Sequence, residues 1–98
     1  MMIRFIAAAR RELARAAIFY DRRVEGLGDR LLDADGSAVR DIRQFPNANA
    51  PIDQVHRRRL VRVFPYALVY RIEGDTIWII AVAHSSRRPN YWRRRQIG

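Results

Sequence analysis

Within eight residues near its C-terminus the chain places an imidazole, two guanidinium groups and a phenol, on His84, Arg87, Arg88 and Tyr91. An imidazole titrates close to neutral pH and exchanges protons there. Guanidinium groups grip a phosphate or carboxylate through paired N–H bonds, and Arg62 on an earlier apolar-rich run adds one more. Together these groups suit proton transfer beside a bound anion. With two His, ten carboxylates and no Cys, the chain excludes disulfides, thiolate zinc sites and Cys nucleophiles. Neither a metal site nor a cofactor is expected.

The same residues have structural readings. A His at a strand end commonly satisfies a backbone carbonyl or stacks on an aromatic ring. Tyr91 and Trp92, following Pro89, are placed to cap an exposed core edge. Arg57, Arg58 and Arg59 alternate across a strand, so at least one of them faces solvent, and His56 beside them carries no separate signal.

The charge is unevenly spread. A chain of 98 residues and 11.5 kDa fits one small domain, residues 1–98, and its charge of +9 comes from nineteen Arg with no Lys. Residues 1–55 carry nine Arg and eight acidic residues, whereas residues 56–98 carry ten Arg and only Glu73 and Asp75. The excess is therefore C-terminal, in the clusters Arg57–Arg59, Arg87–Arg88 and Arg93–Arg95. Ten cations with so few anions repel one another, and a polyanionic or acidic partner would relieve them. Arg4, Arg10, Arg11 and Arg15 among alanines imitate a transit peptide, but Glu12 and Asp21 interrupt the pattern. The longest wholly apolar run, Ile77–Ala83, spans seven residues, far short of the roughly 20 a bilayer requires. No membrane association and a cytoplasmic location are expected.

The elements that must position these groups follow from periodicity. Met2–Ile6 is β-compatible. Residues 7–23, rich in Ala, Arg and Leu without Gly or Pro, predict a helix whose apolar face is Ala9, Leu13, Ala16, Ala17 and Tyr20. Gly26 and Gly28 break the pattern. A second helix runs to about Phe45 on the stripe Leu27, Leu31, Ala34, Ala38, Ile42 and Phe45, with Gly36 its weak point and Pro46 its stop. Two helices so closely joined form an antiparallel hairpin. After the loop 46–54 the period changes to two, predicting strands at His56–Phe64, Ala67–Ile72 and Thr76–His84 in an antiparallel meander. The last strand is apolar on both faces, so it belongs in the middle of a covered sheet. The hairpin covers one face, and the tail or a partner chain must cover the other. The fold class is α+β: an N-terminal strand and an antiparallel helical hairpin on one face of an antiparallel sheet, in the order β-α-α-β-β-β.

Phe64-Pro-Tyr-Ala-Leu-Val-Tyr-Arg-Ile-Glu-Gly-Asp, Ile79-Ile-Ala-Val-Ala-His84 and Arg87-Arg88-Pro89-Asn90-Tyr91-Trp92 resemble the C-terminal half of the RelE/ParE toxin superfamily. The Ala-Arg-Arg-Glu-Leu opening of the first helix, the Gly26-Leu27-Gly28 turn and Ile42-Arg43-Gln44-Phe45-Pro46 agree, extending the resemblance over essentially the whole chain. It implies a bacterial type II toxin neutralised by an acidic cognate antitoxin, assembled as a homodimer or a toxin–antitoxin hetero-oligomer.

The superfamily holds two activities on one fold. RelE-like members cleave mRNA on the ribosome without metal, and ParE-like members poison DNA gyrase without being nucleases. On the first reading, which leads here, the chain is an endoribonuclease acting on mRNA at the ribosome. His84, Tyr91, Arg62, Arg87 and Arg88 form its catalytic set, and Arg57, Arg58, Arg59, Arg93, Arg94 and Arg95 bind nucleic acid. RelE itself relies on Lys, which is absent here, and a guanidinium with an ordinary pKa above about 12 is a poor base. The second reading, a gyrase poison, requires a basic, aromatic surface and no acid–base set. A non-toxic basic nucleic-acid-binding module or an inactive relic is the third.

Overall fold

The computed structural model describes residues 1–97. Its elements are β1 (Met2–Phe5), α1 (Ala7–Arg23), α2 (Leu27–Gln44), β2 (Ala50–Pro51), β3 (His56–Leu60), β4 (Tyr66–Glu73) and β5 (Thr76–His84). The five strands form one sheet in the order β1-β5-β4-β3-β2. β3, β4 and β5 make the expected antiparallel meander, but β1 lies parallel to β5, so the sheet is mixed. The connection from β1 to β5 runs through both helices and the three intervening strands, and a long connection of this kind is what a parallel pairing requires. The short β2, inside the expected loop, pairs with β3 at its outer edge. Pro51 there cannot donate to a further strand and closes that edge.

Both helices run as periodicity requires. α1 has no Gly or Pro to interrupt it, and Arg22 and Arg23 in its last turn favour the negative end of the helix dipole. Gly26 makes the turn in the left-handed region at φ 85°, which costs a residue without Cβ little. Gly28 is needed for a different reason, close approach. A Cβ there would sit 2.4 Å from the Ala17 carbonyl oxygen, and the Gly28 N–H donates to Asp21 Oδ1 at 2.8 Å. The helices meet because this residue has no side chain. α2 continues unbroken through Gly36, whose missing Cβ faces only the end of Arg40. Leu31, Ala38 and Ile42 are buried as expected, but Phe45 is 57% exposed and Asp35 takes a core position instead.

The sheet departs from expectation where its chain bends. β3 stops at Leu60 rather than Phe64, and Val63 sits at φ 74°, a conformation a β-branched residue rarely adopts. In β4–β5 the register passes from Tyr70↔Ile79 to Val69↔Ala81, leaving Ile80 as the extra residue of a β-bulge. β5 is buried on both faces through Ile77, Ile79, Ile80, Ala81 and Val82. α1 packs against β5 on one side. The tail closes the other: Trp92 is only 3% exposed and lies against the His56 ring, centroids 4.7 Å apart.

Candidate functional site

Strand alternation divides the β3 arginines. Arg57 and Arg59 turn to the hairpin side, where Arg57 donates to the Asn49 carbonyl at 2.7 Å and Arg59 to Asp41 at 2.8 Å and Asn49 Oδ1 at 3.2 Å. Arg58 turns the other way. It lines a groove of about 470 Å³ between the sheet and the tail, together with Arg87, Arg88, His84, Tyr66 and Tyr91, over a floor of Val61, Val69, Ala67 and Ala83. Among the described residues, no lining side chain is acidic. Such a groove can hold an anion with an aromatic or apolar attachment.

His84 and Tyr91 both reach this groove, but each is already engaged. Ser86 donates to His84 Nδ1 from its backbone N–H at 3.0 Å, and its hydroxyl lies 2.8 Å from the same nitrogen. The neutral ring therefore carries its proton on Nε2. The ring also packs edge-on against Tyr66, centroids 5.0 Å apart, which is the stacking role.

The Tyr91 hydroxyl donates to Glu12 Oε2 at 2.5 Å. Burial pushes the phenol up, and the bond to the Glu12 carboxylate pushes it further, far above the ordinary tyrosine value. A phenol so held is an anchor and gives up its proton reluctantly.

Glu12 is the centre of this arrangement, and sequence reasoning missed it, counting it only as an interruption in a basic helix. Its Oε1 accepts the Val82 N–H at 3.0 Å and Arg95 Nη1 at 2.7 Å, while Oε2 accepts Arg95 Nη2 at 2.9 Å. Arg95 Nη1 also donates to the Ile80 carbonyl at 3.0 Å. Burial raises the Glu12 carboxyl, but the bonds from Arg95, Tyr91 and Val82 outweigh it and hold the group below its ordinary value. The backbone explains why these groups are here. Pairing with β1 ends at Ile79, the bulge at Ile80 follows, and the side chains of Glu12 and Arg95 satisfy the next edge groups in place of a strand.

A second clamp ties the tail to β3. Asp53 accepts the N–H groups of Val55 at 2.9 Å and His56 at 2.7 Å, and its Oδ2 lies 3.0 Å from His56 Nδ1 and 3.3 Å from Arg93. Burial raises Asp53, but these backbone and ring contacts prevail and lower it to about 2. His56, silent in the sequence, is thus a buried structural residue. Asp three residues before His, with Val between turn and strand, is the only local signal of it.

The expected catalytic set is only partly assembled. Arg87, Arg88, His84 and Tyr91 share the groove, but Arg62 lies elsewhere, in a separate groove of about 770 Å³ lined by Arg30, Asp33, Asp41 and Val63. Of the expected nucleic-acid contacts, Arg57, Arg59, Arg93 and Arg95 make internal bonds, whereas Arg58 faces the tail groove and Arg94 is exposed. The described residues contain no group of three or more His, Cys, Asp or Glu placed to hold a metal ion. No described helix is long and apolar enough to cross a membrane.

A helical hairpin on a small mixed sheet, with an arginine-rich tail folded over the sheet's far face, defines the RelE/ParE superfamily fold suggested by the sequence motifs. Within it the chain belongs to the ParE toxin family of type II toxin–antitoxin systems, whose pattern residues 3–89 match. The match stops at Pro89, so Tyr91, Trp92 and Arg95 lie beyond it. Toxin ParE2 from two strains of Mycobacterium tuberculosis, CDC 1551 and H37Rv, is 40% identical over 63 residues, covering 63% of this chain and 60% of each relative. The matched stretch thus spans about three-fifths of these curated relatives. A chain of the chromosomal ParDE TA system from P. aeruginosa superposes with a TM-score of 0.64 over 86% of this chain and 95% of its own. At 14% identity that likeness speaks for the fold alone.

Proposed function

We propose that the protein is the growth-arresting toxin of a type II module and acts by binding, as a poison of DNA gyrase, rather than by cutting RNA. The observation that carries this reading is the Tyr91–Glu12 bond of 2.5 Å, which commits the phenol to an anchoring role. Metal-free cleavage of RNA needs a proton acceptor, a proton donor and cations around one phosphate. Here the cations are present, but the phenol is locked, one His84 nitrogen is occupied and Arg62 is absent from the groove. A binding surface needs none of these. An arginine-lined groove with aromatic walls is a competent surface for a protein–DNA complex. The presence of His84 beside Arg87 and Arg88 is what favours the alternative, ribosome-dependent mRNA cleavage. The cognate antitoxin is expected to cover the basic groove with an acidic segment that orders on binding.

Induction in a bacterium separates the two readings. Trapped gyrase–DNA cleavage complexes with intact mRNA pools are the expected result. Rapid cleavage of translated mRNA without such complexes would overturn it.

A further inference from the structure

Glu12 belongs to α1 and does not line the groove, yet two of its neighbours, Tyr91 and Arg87, do. Its Oε2 holds the Tyr91 hydroxyl, the Tyr91 ring carries the Arg87 guanidinium on its face at 3.8 Å, and Arg87 Nη1 lies 4.0 Å from the same oxygen. A free Arg side chain loses rotamer entropy when a ligand orders it. Stacking on an anchored ring removes much of that loss beforehand, which is the physical content of preorganisation. The bidentate Arg95 bond fixes the Glu12 carboxylate beneath Tyr91, with Arg87 at the longer distance of 4.0 Å.

We propose that Glu12 is a positioning residue for anion capture: it anchors Tyr91, Tyr91 aligns Arg87, and Arg87 with Arg88 and Arg58 binds an oxyanion in the groove. The oxyanion is a phosphate of the kind the DNA of that complex presents, so the inference rests on the groove being the binding surface assigned above.

Positioning and simple electrostatics give opposite outcomes here. Replacing Glu12 by Gln adds one unit of positive charge, and Coulomb attraction alone would then tighten anion binding. Positioning requires that it weaken. The test is an NMR titration of the full chain, labelled at arginine, with pyrophosphate, following the Nε–H signal of Arg87.

The native protein should show saturable shifts at Arg87, and Glu12→Gln should bind pyrophosphate at least fivefold more weakly with its backbone amide spectrum retained. Tyr91→Phe keeps the ring under Arg87 and loses only the hydroxyl link, so it should weaken binding too, and it decides the matter if Glu12→Gln does not fold. Equal or tighter binding by a folded variant would overturn the inference. So would equal, unsaturated shifts at all arginines of the native protein, the mark of an adventitious ion only.

Growth arrest after induction distinguishes this result from the function it rests on. A Glu12→Gln protein that binds pyrophosphate weakly but arrests growth fully upholds the positioning role and removes the groove from the toxic surface.

Discussion

The two faces of the sheet treat the same residue type in opposite ways. On the hairpin face, Arg57 and Arg59 meet Asn49 and Asp41, and their charge is absorbed into holding α2 and its following loop against β3. On the tail face, Arg58, Arg87 and Arg88 surround a groove without an acidic lining residue among those described. Composition counts all of these as one basic excess. Strand alternation sorts them into arginines that support the fold and arginines left available to a partner. A cluster of consecutive charges on a strand is therefore two populations, and only the fold says which is which.

Removing the residue that closes the tail face should have the largest effect. Trp92→Ala deletes the buried ring that packs on His56, and such truncations cost about 3–5 kcal/mol. Thermal unfolding should show a large loss, with the groove's aromatic wall lost at the same time. A change of less than 1 kcal/mol would mean that the tail does not seal the sheet.

The hairpin side carries an expense of its own in Asp35. This residue is 6% exposed, its Oδ1 has no hydrogen-bond partner, and burial raises its carboxyl to about 6. Because the folded state holds the Asp35 proton more tightly than the unfolded chain, the contribution of this group to stability is most favourable below about pH 4 and is lost as pH rises towards 6. Asp35→Asn removes the charge and should gain about 2–3 kcal/mol at pH 7.5 and almost nothing at pH 4. Denaturant unfolding at the two pH values measures this, and an equal effect at both would show that ionisation is not the cause.

Two charge-removing variants separate the arginines of one face from those of the other. Arg59→Gln, which loses a half-exposed ion pair, should lower stability by about 0.5–1 kcal/mol. Arg58→Gln should leave unfolding unchanged yet reduce growth arrest on induction, because its side chain faces the groove. If the two variants behave alike in both assays, the division between supporting and available arginines fails.

Much of the fold was legible in the sequence because it depends on short-range patterns. The spacing of Ala9, Leu13 and Ala16 in α1, and of Leu31, Ala38 and Ile42 in α2, sufficed for the helices. The double-faced apolar run from Thr76 placed β5 centrally, as found between β1 and β4. The parallel docking of β1 was not legible, since Met2–Phe5 carries no sign of its neighbour. Asp35 was invisible for the same kind of reason: a polar residue inside an apolar stripe reads as a boundary or an exposed position, and only packing shows it buried. At the site, the groove cations Arg87 and Arg88 and the aromatic Tyr91 were recognisable, whereas the separation of Arg62 follows from the end of β3 at Leu60 and the left-handed turn at Val63.

Short-range patterns settle the order and type of the main elements, the near-neutral hairpin and the strongly basic half that follows it. These are properties of neighbours along the chain, set by periodicity, propensity and composition. Which arginines remain available, and the part Glu12 plays in organising the tail, emerge only from packing in three dimensions. Glu12 meets Tyr91 and Arg95 across separations of 79 and 83 residues. It does so because a bulge and the end of β1 leave backbone groups of β5 that side chains from both ends of the protein converge to satisfy.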